Sequence, residues 1–120
     1  MLKKTVAFVL LIGGSPAFAQ SQYDQFVGQY VAATIISNEC SSLTARDAQS
    51  AADIGKAQNR LRKQKVLRLL YYSKTVQLTA VGRNALTERQ VDPDNSAALC
   101  AFGKQVASKQ DEIGRFLSSN

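Results

Sequence analysis

The sequence predicts an all-α fold, a small bundle of about four helices closed by one disulfide. Three observations support this prediction. Apolar residues recur at three- and four-residue spacing along most of the chain, as on the buried face of a helix. Good helix formers are frequent and Trp is absent, which favours helices over a β-sandwich. Two cysteines follow an apparent export signal, a combination typical of a disulfide.

The N-terminus has the pattern of a cleavable signal peptide. Two lysines precede a short apolar run from Thr5 to Ile12, and Ala17 and Ala19 supply the small residues that signal peptidase reads. This apolar run is too short to span a bilayer. We therefore predict a signal peptide at residues 1–19 and a single helical domain at residues 20–120. The protein is expected to be periplasmic or secreted, with no transmembrane segment in its mature chain.

Cys40 and Cys100 are predicted to form a disulfide. An even number of cysteines in an exported chain favours pairing, and the two do not form a Cys-x-x-Cys redox motif. Closing so long a loop would stabilise the fold by about 4 kcal/mol if the effect is entropic. Two unpaired thiols or a reactive nucleophile are the alternatives.

The first two helices are predicted from periodicity and from a capping signal. Residues 22–39 carry an apolar stripe at helical spacing that ends beside Cys40. Thr44 is followed three residues later by Asp47, a variant of the capping box. A second helix is therefore predicted over residues 45–63, with an alanine-rich buried face.

The segment at residues 66–81 is open to two interpretations. Its apolar residues follow helical spacing, yet residues 75–81 also alternate like a β-strand. A helix is favoured, because no other segment offers a partner for a single strand. Gly82 is its predicted C-terminal stop, and residues 83–91 are expected to form a connection.

The last helix is predicted to begin with Asp92 as its cap and Pro93 at its first position. Its apolar stripe starts at Leu99 and runs as far as Leu117. A column of small residues beside this stripe is expected to receive the first helix near Cys40.

Positive charge is concentrated in the middle of the chain. The whole sequence has 15 basic and 9 acidic residues and a net charge of +6, whereas residues 54–87 contain no acidic residue. The candidate anion-binding residues are Lys56, Arg60, Arg62, Lys63, Lys65 and Arg68. Such a patch attracts phosphates, anionic glycans or acidic protein surfaces. The alternative is a solvated surface that binds nothing.

Two adjacent tyrosines follow the basic residues. Neighbouring side chains on a helix point about 100° apart, so at most one of them serves the core. Tyr71 lies on the apolar stripe and Tyr72 is the freer one. Core packing is the favoured role for the pair, although aromatic rings beside cations also stack on bases.

The sequence contains no recognisable catalytic or metal-binding motif. Its lack of His removes the commonest general base and the commonest metal ligand, and no Gly-rich phosphate loop is present. We therefore expect a protein without enzymatic activity, cofactor or metal.

Two stretches at the cysteines resemble a known family. Residues 40–46, CSSLTAR, are similar to a Cys-x-Ser-Ile-Ser-x-Arg run. Residues 100–103, CAFG, and 113–117, IGRFL, are similar to a C-terminal Cys-x-Leu-Gly and Ile-Gly-x-x-Leu pattern. Both patterns occur in a family of small exported alphaproteobacterial proteins catalogued as a domain of unknown function. The resemblance implies paired cysteines and a helical fold, and it assigns no catalytic residue.

These observations predict an exported, non-enzymatic binding or interaction protein of the cell envelope. Its partner is expected to be an anionic envelope component or a protein, met through the basic residues. An inhibitor or immunity-type protein against a secreted hydrolase is the alternative.

Overall fold

The computed structural model describes residues 21–120, which form five α-helices and one two-stranded sheet around a common core. The helices are α1 (Gln22–Glu39), α2 (Ala48–Asn59), α3 (Lys63–Tyr72), α4 (Thr75–Glu88) and α5 (Ser96–Lys109). The strands are β1 (Leu43–Ala45) and β2 (Leu117–Ser119), the latter preceded by a 3-10 turn at Gly114–Phe116. The predicted helical fold class is confirmed. The predicted signal peptide at residues 1–19 lies outside the described residues.

The central element is α1, whose predicted span is confirmed. Ser21 caps it, because its hydroxyl accepts a hydrogen bond from the backbone N–H of Asp24 at 3.1 Å. Helices α3, α4 and α5 and strand β1 all pack against α1. Its side chains are consequently buried on several sides, with Phe26, Ala33 and Ile36 at most 2% exposed.

The second helix is shorter than predicted at both ends. Its N-cap is Asp47, whose carboxylate accepts from the Ser50 N–H at 2.7 Å. Thr44 instead belongs to β1, which pairs antiparallel with β2, so its backbone is extended. At the other end, Arg60 adopts a left-handed conformation with φ 57° and terminates the helix.

Residues 66–81 are helical but do not form one helix. Backbone ψ angles of 147° at Ser73 and 143° at Lys74 separate α3 from α4. Residues 75–81 lie in α4, so preferring a helix over a strand there was correct.

Gly82 does not end a helix, because α4 continues to Glu88 through most of the predicted connection. A Cβ atom at Gly82 would lie only 2.5 Å from Cγ1 of Val31. The glycine therefore allows α4 to approach α1 closely, which is a packing role.

The last helix begins three residues later than predicted. Its N-cap is Asn95, whose side chain accepts from the Ala98 N–H at 3.0 Å. Asp92 instead closes the preceding turn by accepting from the Asp94 N–H at 2.9 Å. Pro93 consequently lies in that turn, outside α5.

The apolar stripe beyond Lys109 is buried, but not as part of a helix. Gln110 takes a left-handed conformation with φ 53° and ends α5. Ile113, Phe116 and Leu117 then reach the core from the turn and from β2, each at most 1% exposed.

The predicted disulfide between Cys40 and Cys100 is confirmed. It joins the end of α1 to α5 across a sequence separation of 60 residues, with the two Cα atoms 5.2 Å apart. Because the bond links two helices that already pack together, it fixes their contact.

The C-terminal residues are tied to β1 and to the loop before it. The backbone N–H of Arg46 donates to the carbonyl oxygen of Phe116 at 2.8 Å, and that of Asn120 donates to Ser42 at 3.0 Å. The Asn120 side chain also bonds to Thr44 and to the Ser41 carbonyl oxygen. We term the disulfide, the β1–β2 sheet and residues 110–120 the closed pole.

A buried arginine lies at the centre of the closed pole. Arg115 is only 9% exposed, and its guanidinium carbon lies 5.2 Å and 4.9 Å from the ring centroids of Phe26 and Phe116. Burial lowers the pKa of this guanidinium, and the Glu112 and Asp111 carboxylates oppose the shift. Its N–H groups donate to four oxygen atoms, at 2.8–2.9 Å, in Glu112, Gln58, Asn59 and Gln29. Arg115 therefore joins α1, α2 and the C-terminal turn.

None of the helices described at residues 21–120 is both long enough and apolar enough to cross a membrane.

Candidate anion-binding surface

The predicted anion-binding residues lie along one continuous part of the fold. They occupy the end of α2, the short loop after it and α3. All are exposed except Lys63, which is half-buried: Lys56, Arg60, Arg62, Lys63, Lys65 and Arg68. We term residues 56–76 the basic corner.

The C-terminus of α2 and the N-terminus of α3 both lie at the basic corner, but the helix dipole acts on their cations in opposite ways. Lys56 lies in the last turn of α2, where a cation is favoured by the negative end of the helix dipole. Arg62 is the N-cap of α3 and provides no side-chain cap, and Lys63 and Lys65 follow in the first turn. Cations at this positive end are unfavourable, so helix stability does not explain the basic residues at the start of α3.

Tyr23 of α1 fixes the loop before α3. Its hydroxyl accepts a hydrogen bond from the backbone N–H of Arg62 at 2.8 Å. The ammonium nitrogen of Lys65 lies 4.4 Å from the centroid of the Tyr23 ring, a cation–π contact. Lys65 is thereby directed towards α1.

Lys63 has an acidic partner that was not predicted from the sequence. Its ammonium nitrogen lies 2.7 Å from a carboxylate oxygen of Asp53, a residue just outside the acid-free segment. The two side chains are 33% and 62% exposed, and a pair of this kind contributes about 0–1 kcal/mol to stability. The pair therefore reduces the local charge without fixing the fold.

An open groove of about 490 Å³ runs along α3. Of the predicted residues it brings together Lys63 and Arg68, and the other four lie outside it. The remaining lining consists of two glutamines, one leucine and two tyrosines: Gln49, Gln64, Leu67, Tyr71 and Tyr72. Ammonium, guanidinium and amide groups in one groove suit an anionic ligand with further hydrogen-bond acceptors.

The predicted core role of the tyrosine pair is wrong. Tyr71 is 59% and Tyr72 is 83% exposed. The apolar stripe of α3 does not continue through them, because α3 ends at Tyr72 and α4 starts in a new direction after Lys74.

Tyr71 also lines a second, more apolar groove of about 290 Å³. Side chains from α1, α2, α3 and α4 form it, among them Val31, Leu70 and Leu78. Sequence periodicity gave no signal for this groove, because it depends on the angle between α3 and α4. One tyrosine therefore separates a basic groove from an apolar one.

The buried polar side chains of the described residues are all satisfied by hydrogen bonds. Residues 21–120 contain no group of three or more His, Cys, Asp or Glu side chains placed to hold a metal ion. The polar groups that have capacity for a ligand are consequently the exposed ones.

Comparison with known proteins identifies the family of the chain. A family model described as "Family of unknown function (DUF5333)" matches residues 16–118, a range that includes both cysteines and the basic corner. No curated protein and no solved structure matches the chain.

Proposed function

The chain belongs to DUF5333, a family of unknown function, and from this premise we propose that it is an exported, non-enzymatic protein that binds an anionic partner of the cell envelope through the basic corner. The predicted resemblance to a family of unknown function is confirmed by this membership. Export and an alphaproteobacterial origin stay predictions.

The observation that carries the proposal is a set of exposed cations that form no ion pair among the described residues. Lys56, Arg60 and Arg68 are exposed, and none of them forms an ion pair within residues 21–120. A cluster of one sign raises the local concentration of counter-ions and steers an oppositely charged partner. The cluster therefore favours a polyanion over a neutral or basic partner.

The start of α3 adds an energetic argument. Its first-turn cations oppose the helix dipole and do not cap the helix. Residues that destabilise their own helix are expected at sites where those residues serve a function. A bound anion would offset this repulsion, so binding and folding of α3 are expected to support each other.

The disulfide supports an extracytoplasmic location. Structural disulfides form and persist in oxidising compartments such as the periplasm or the exterior. Together with the predicted signal peptide, the bond between Cys40 and Cys100 favours a periplasmic or secreted protein. Lipid A phosphates, anionic lipids and extracellular DNA are the polyanions present there.

The proposal is tested by titrating the disulfide-bonded protein with lipopolysaccharide, anionic vesicles and DNA over a series of salt concentrations. For at least one of them, the logarithm of the binding constant is expected to fall linearly with the logarithm of the salt concentration, because binding releases counter-ions. Arg60→Gln/Arg68→Gln is expected to lower that affinity by about tenfold or more.

A matched control removes the same charge elsewhere. Lys104 and Lys109 are exposed on α5, so Lys104→Gln/Lys109→Gln changes the net charge equally and leaves the basic corner intact. This control is expected to bind nearly as well as the unchanged protein. An affinity that changes neither with salt nor with Arg60→Gln/Arg68→Gln would contradict the proposal. An equal loss of affinity in the control would contradict it as well.

The alternative role as an inhibitor or immunity-type protein stays a prediction, since no particular contact or cavity of the described residues favours it.

A further inference from the structure

We propose that the anionic partner is a lipid surface, and that the α3–α4 turn enters its interface with Tyr71, Tyr72 and Val76. This inference rests on the proposed function and names the chemistry of its partner. The basic corner would supply the attraction to anionic headgroups, and the three side chains would supply apolar contact.

The first observation is a cluster of uncovered apolar side chains. Within residues 21–120, the large hydrophobic side chains that are exposed are Tyr71 at 59%, Tyr72 at 83% and Val76 at 72%. All three lie within six residues at a single turn. Single exposed apolar residues are ordinary on a protein surface, whereas a contiguous group marks an interaction site.

The second observation is the type of side chain at this turn. Tyrosine has an apolar ring and a polar hydroxyl, and it is enriched where a membrane meets water. Val76 lies in the first turn of α4, and the exposed Lys74 lies between it and Tyr72. An apolar tip interrupted by a cation matches the boundary between headgroups and acyl chains.

Charge complementarity favours lipid over a soluble polyanion. Lys74 at the turn and Arg68, six residues earlier, are exposed, and residues 54–87 contain no carboxylate. Asp53, which reaches the basic corner, is paired with Lys63. Cations beside a membrane are attracted to its negative surface potential. A soluble polyanion requires only these charges, whereas a lipid surface also gives the exposed Val76 an apolar environment.

The two grooves agree with this arrangement. Tyr71 lines both the basic groove with Lys63 and Arg68 and the apolar groove with Leu70 and Leu78. An anionic lipid likewise presents a charged group directly beside an apolar chain. The basic corner therefore places a charged groove beside an apolar groove, which matches the charged headgroup and the apolar chain of a lipid.

The absence of Trp from the sequence allows a direct test by fluorescence. Tyr72→Trp introduces a single reporter at the turn, and Ala101→Trp introduces one at an exposed position of α5 as the control. Vesicles of phosphatidylglycerol and phosphatidylcholine are added to each disulfide-bonded variant, with vesicles of phosphatidylcholine alone as the neutral comparison. We expect a blue shift and protection from iodide only for Tyr72→Trp with the anionic vesicles.

A second variant separates this inference from the proposed function. Tyr72→Ser/Val76→Ser changes two exposed side chains and no charge, so folding is expected to be unaffected, as circular dichroism will verify. Its affinity for anionic vesicles is expected to fall about tenfold, by several times more than its affinity for DNA, because DNA binding depends mainly on the cations. Arg60→Gln/Arg68→Gln is expected to weaken vesicle binding as well.

The outcomes distinguish the two proposals. Vesicle affinity that is equal in the Tyr72/Val76 variant and the unchanged protein, with Tyr72→Trp still open to iodide, overturns the lipid inference. Salt-dependent binding to DNA or to an acidic protein without vesicle binding also overturns it, and the proposed function then stands. If no polyanion is bound in any form, both proposals fall.

Discussion

The closed pole and the basic corner use the same kinds of side chain in opposite ways. At the closed pole, Arg115 is buried between two phenyl rings and donates to four oxygens of its own chain. At the basic corner, Arg60 and Arg68 are exposed and have no carboxylate partner among the described residues. Arginine therefore holds the fold together in one region and remains available to a partner in the other.

The aromatic residues show the same difference. Phe26 and Tyr30 pack edge-to-face on Phe116, with ring centroids 5.3 Å and 5.4 Å apart, whereas Tyr71 and Tyr72 lie in solvent. Buried aromatic pairs contribute about 0.5–1.5 kcal/mol beyond their area. Changes at the closed pole should therefore affect stability, and changes at the basic corner should affect binding.

The largest effect is expected from removing the disulfide. Cys40→Ala/Cys100→Ala should lower the free energy of unfolding by about 4 kcal/mol, because the unfolded chain regains the freedom of a long loop. Chemical denaturation followed by circular dichroism measures this loss. Tyr72→Ser/Val76→Ser is the comparison at the basic corner and should change stability by less than about 0.5 kcal/mol. A loss below about 1 kcal/mol for the cysteine variant would contradict the role given to the closed pole.

A somewhat smaller loss is expected for Arg115→Ala. It removes four hydrogen bonds and the contact with two rings, and should cost about 3 kcal/mol by the same denaturation measurement. Arg68→Ala, the same change at the basic corner, should cost less than about 0.5 kcal/mol. Similar losses for the two variants would remove the distinction between the regions.

Arg115→Met divides that loss into two parts. Methionine retains much of the apolar contact with Phe26 and Phe116 but none of the donors. The difference in the free energy of unfolding between Arg115→Met and Arg115→Ala then measures the contribution of packing. The difference between the unchanged protein and Arg115→Met measures the contribution of the hydrogen bonds less the cost of burying the charge.

The smallest effect concerns pH. The backbone N–H and the side chain of Ser50 hold the pKa of the Asp47 carboxyl below its usual value, because both hydrogen-bond the charged form at the N-terminus of α2. A folded-state pKa below the unfolded one gives stability that is present at neutral pH and is lost as pH falls through the folded pKa. Asp47→Asn retains a capping acceptor that does not titrate.

Thermal melts at about pH 7 and about pH 3 test this sign. The melting temperature of the unchanged protein should fall more on acidification than that of Asp47→Asn. Arg60→Gln/Arg68→Gln should keep the pH dependence of the unchanged protein, because residues 54–87 contain no carboxylate. A steeper acid loss in Asp47→Asn would show that the cap does not favour the charged form.

The sequence was sufficient where the structure depends on local pattern. The bounds of α1 follow from apolar spacing, and the disulfide follows from an even cysteine count. The start of α2 did not, because Thr44 is extended by pairing with Ser118, a contact between residues distant in the chain. The break at Ser73 carries neither Gly nor Pro, so local signals did not reveal it.

The candidate site was predictable to the same extent. The exposure of the cations follows from their charge alone, and the sequence located them. Their partners did not follow, because Asp53 and Tyr23 reach the corner only through the packing of α1, α2 and α3. The exposure of Tyr71 depends on where α3 ends, which periodicity placed too late.

The central claim is that the closed pole stabilises the fold and the basic corner binds the partner. Residue-specific nuclear magnetic resonance tests this claim most directly. Backbone amide shifts of the disulfide-bonded protein would be followed as bicelles containing phosphatidylglycerol are added at low salt. We predict changes concentrated at residues 56–76, with the amides of β1 and of residues 110–120 unchanged. Changes centred on β1 and residues 110–120, with residues 56–76 unaffected, would contradict the account.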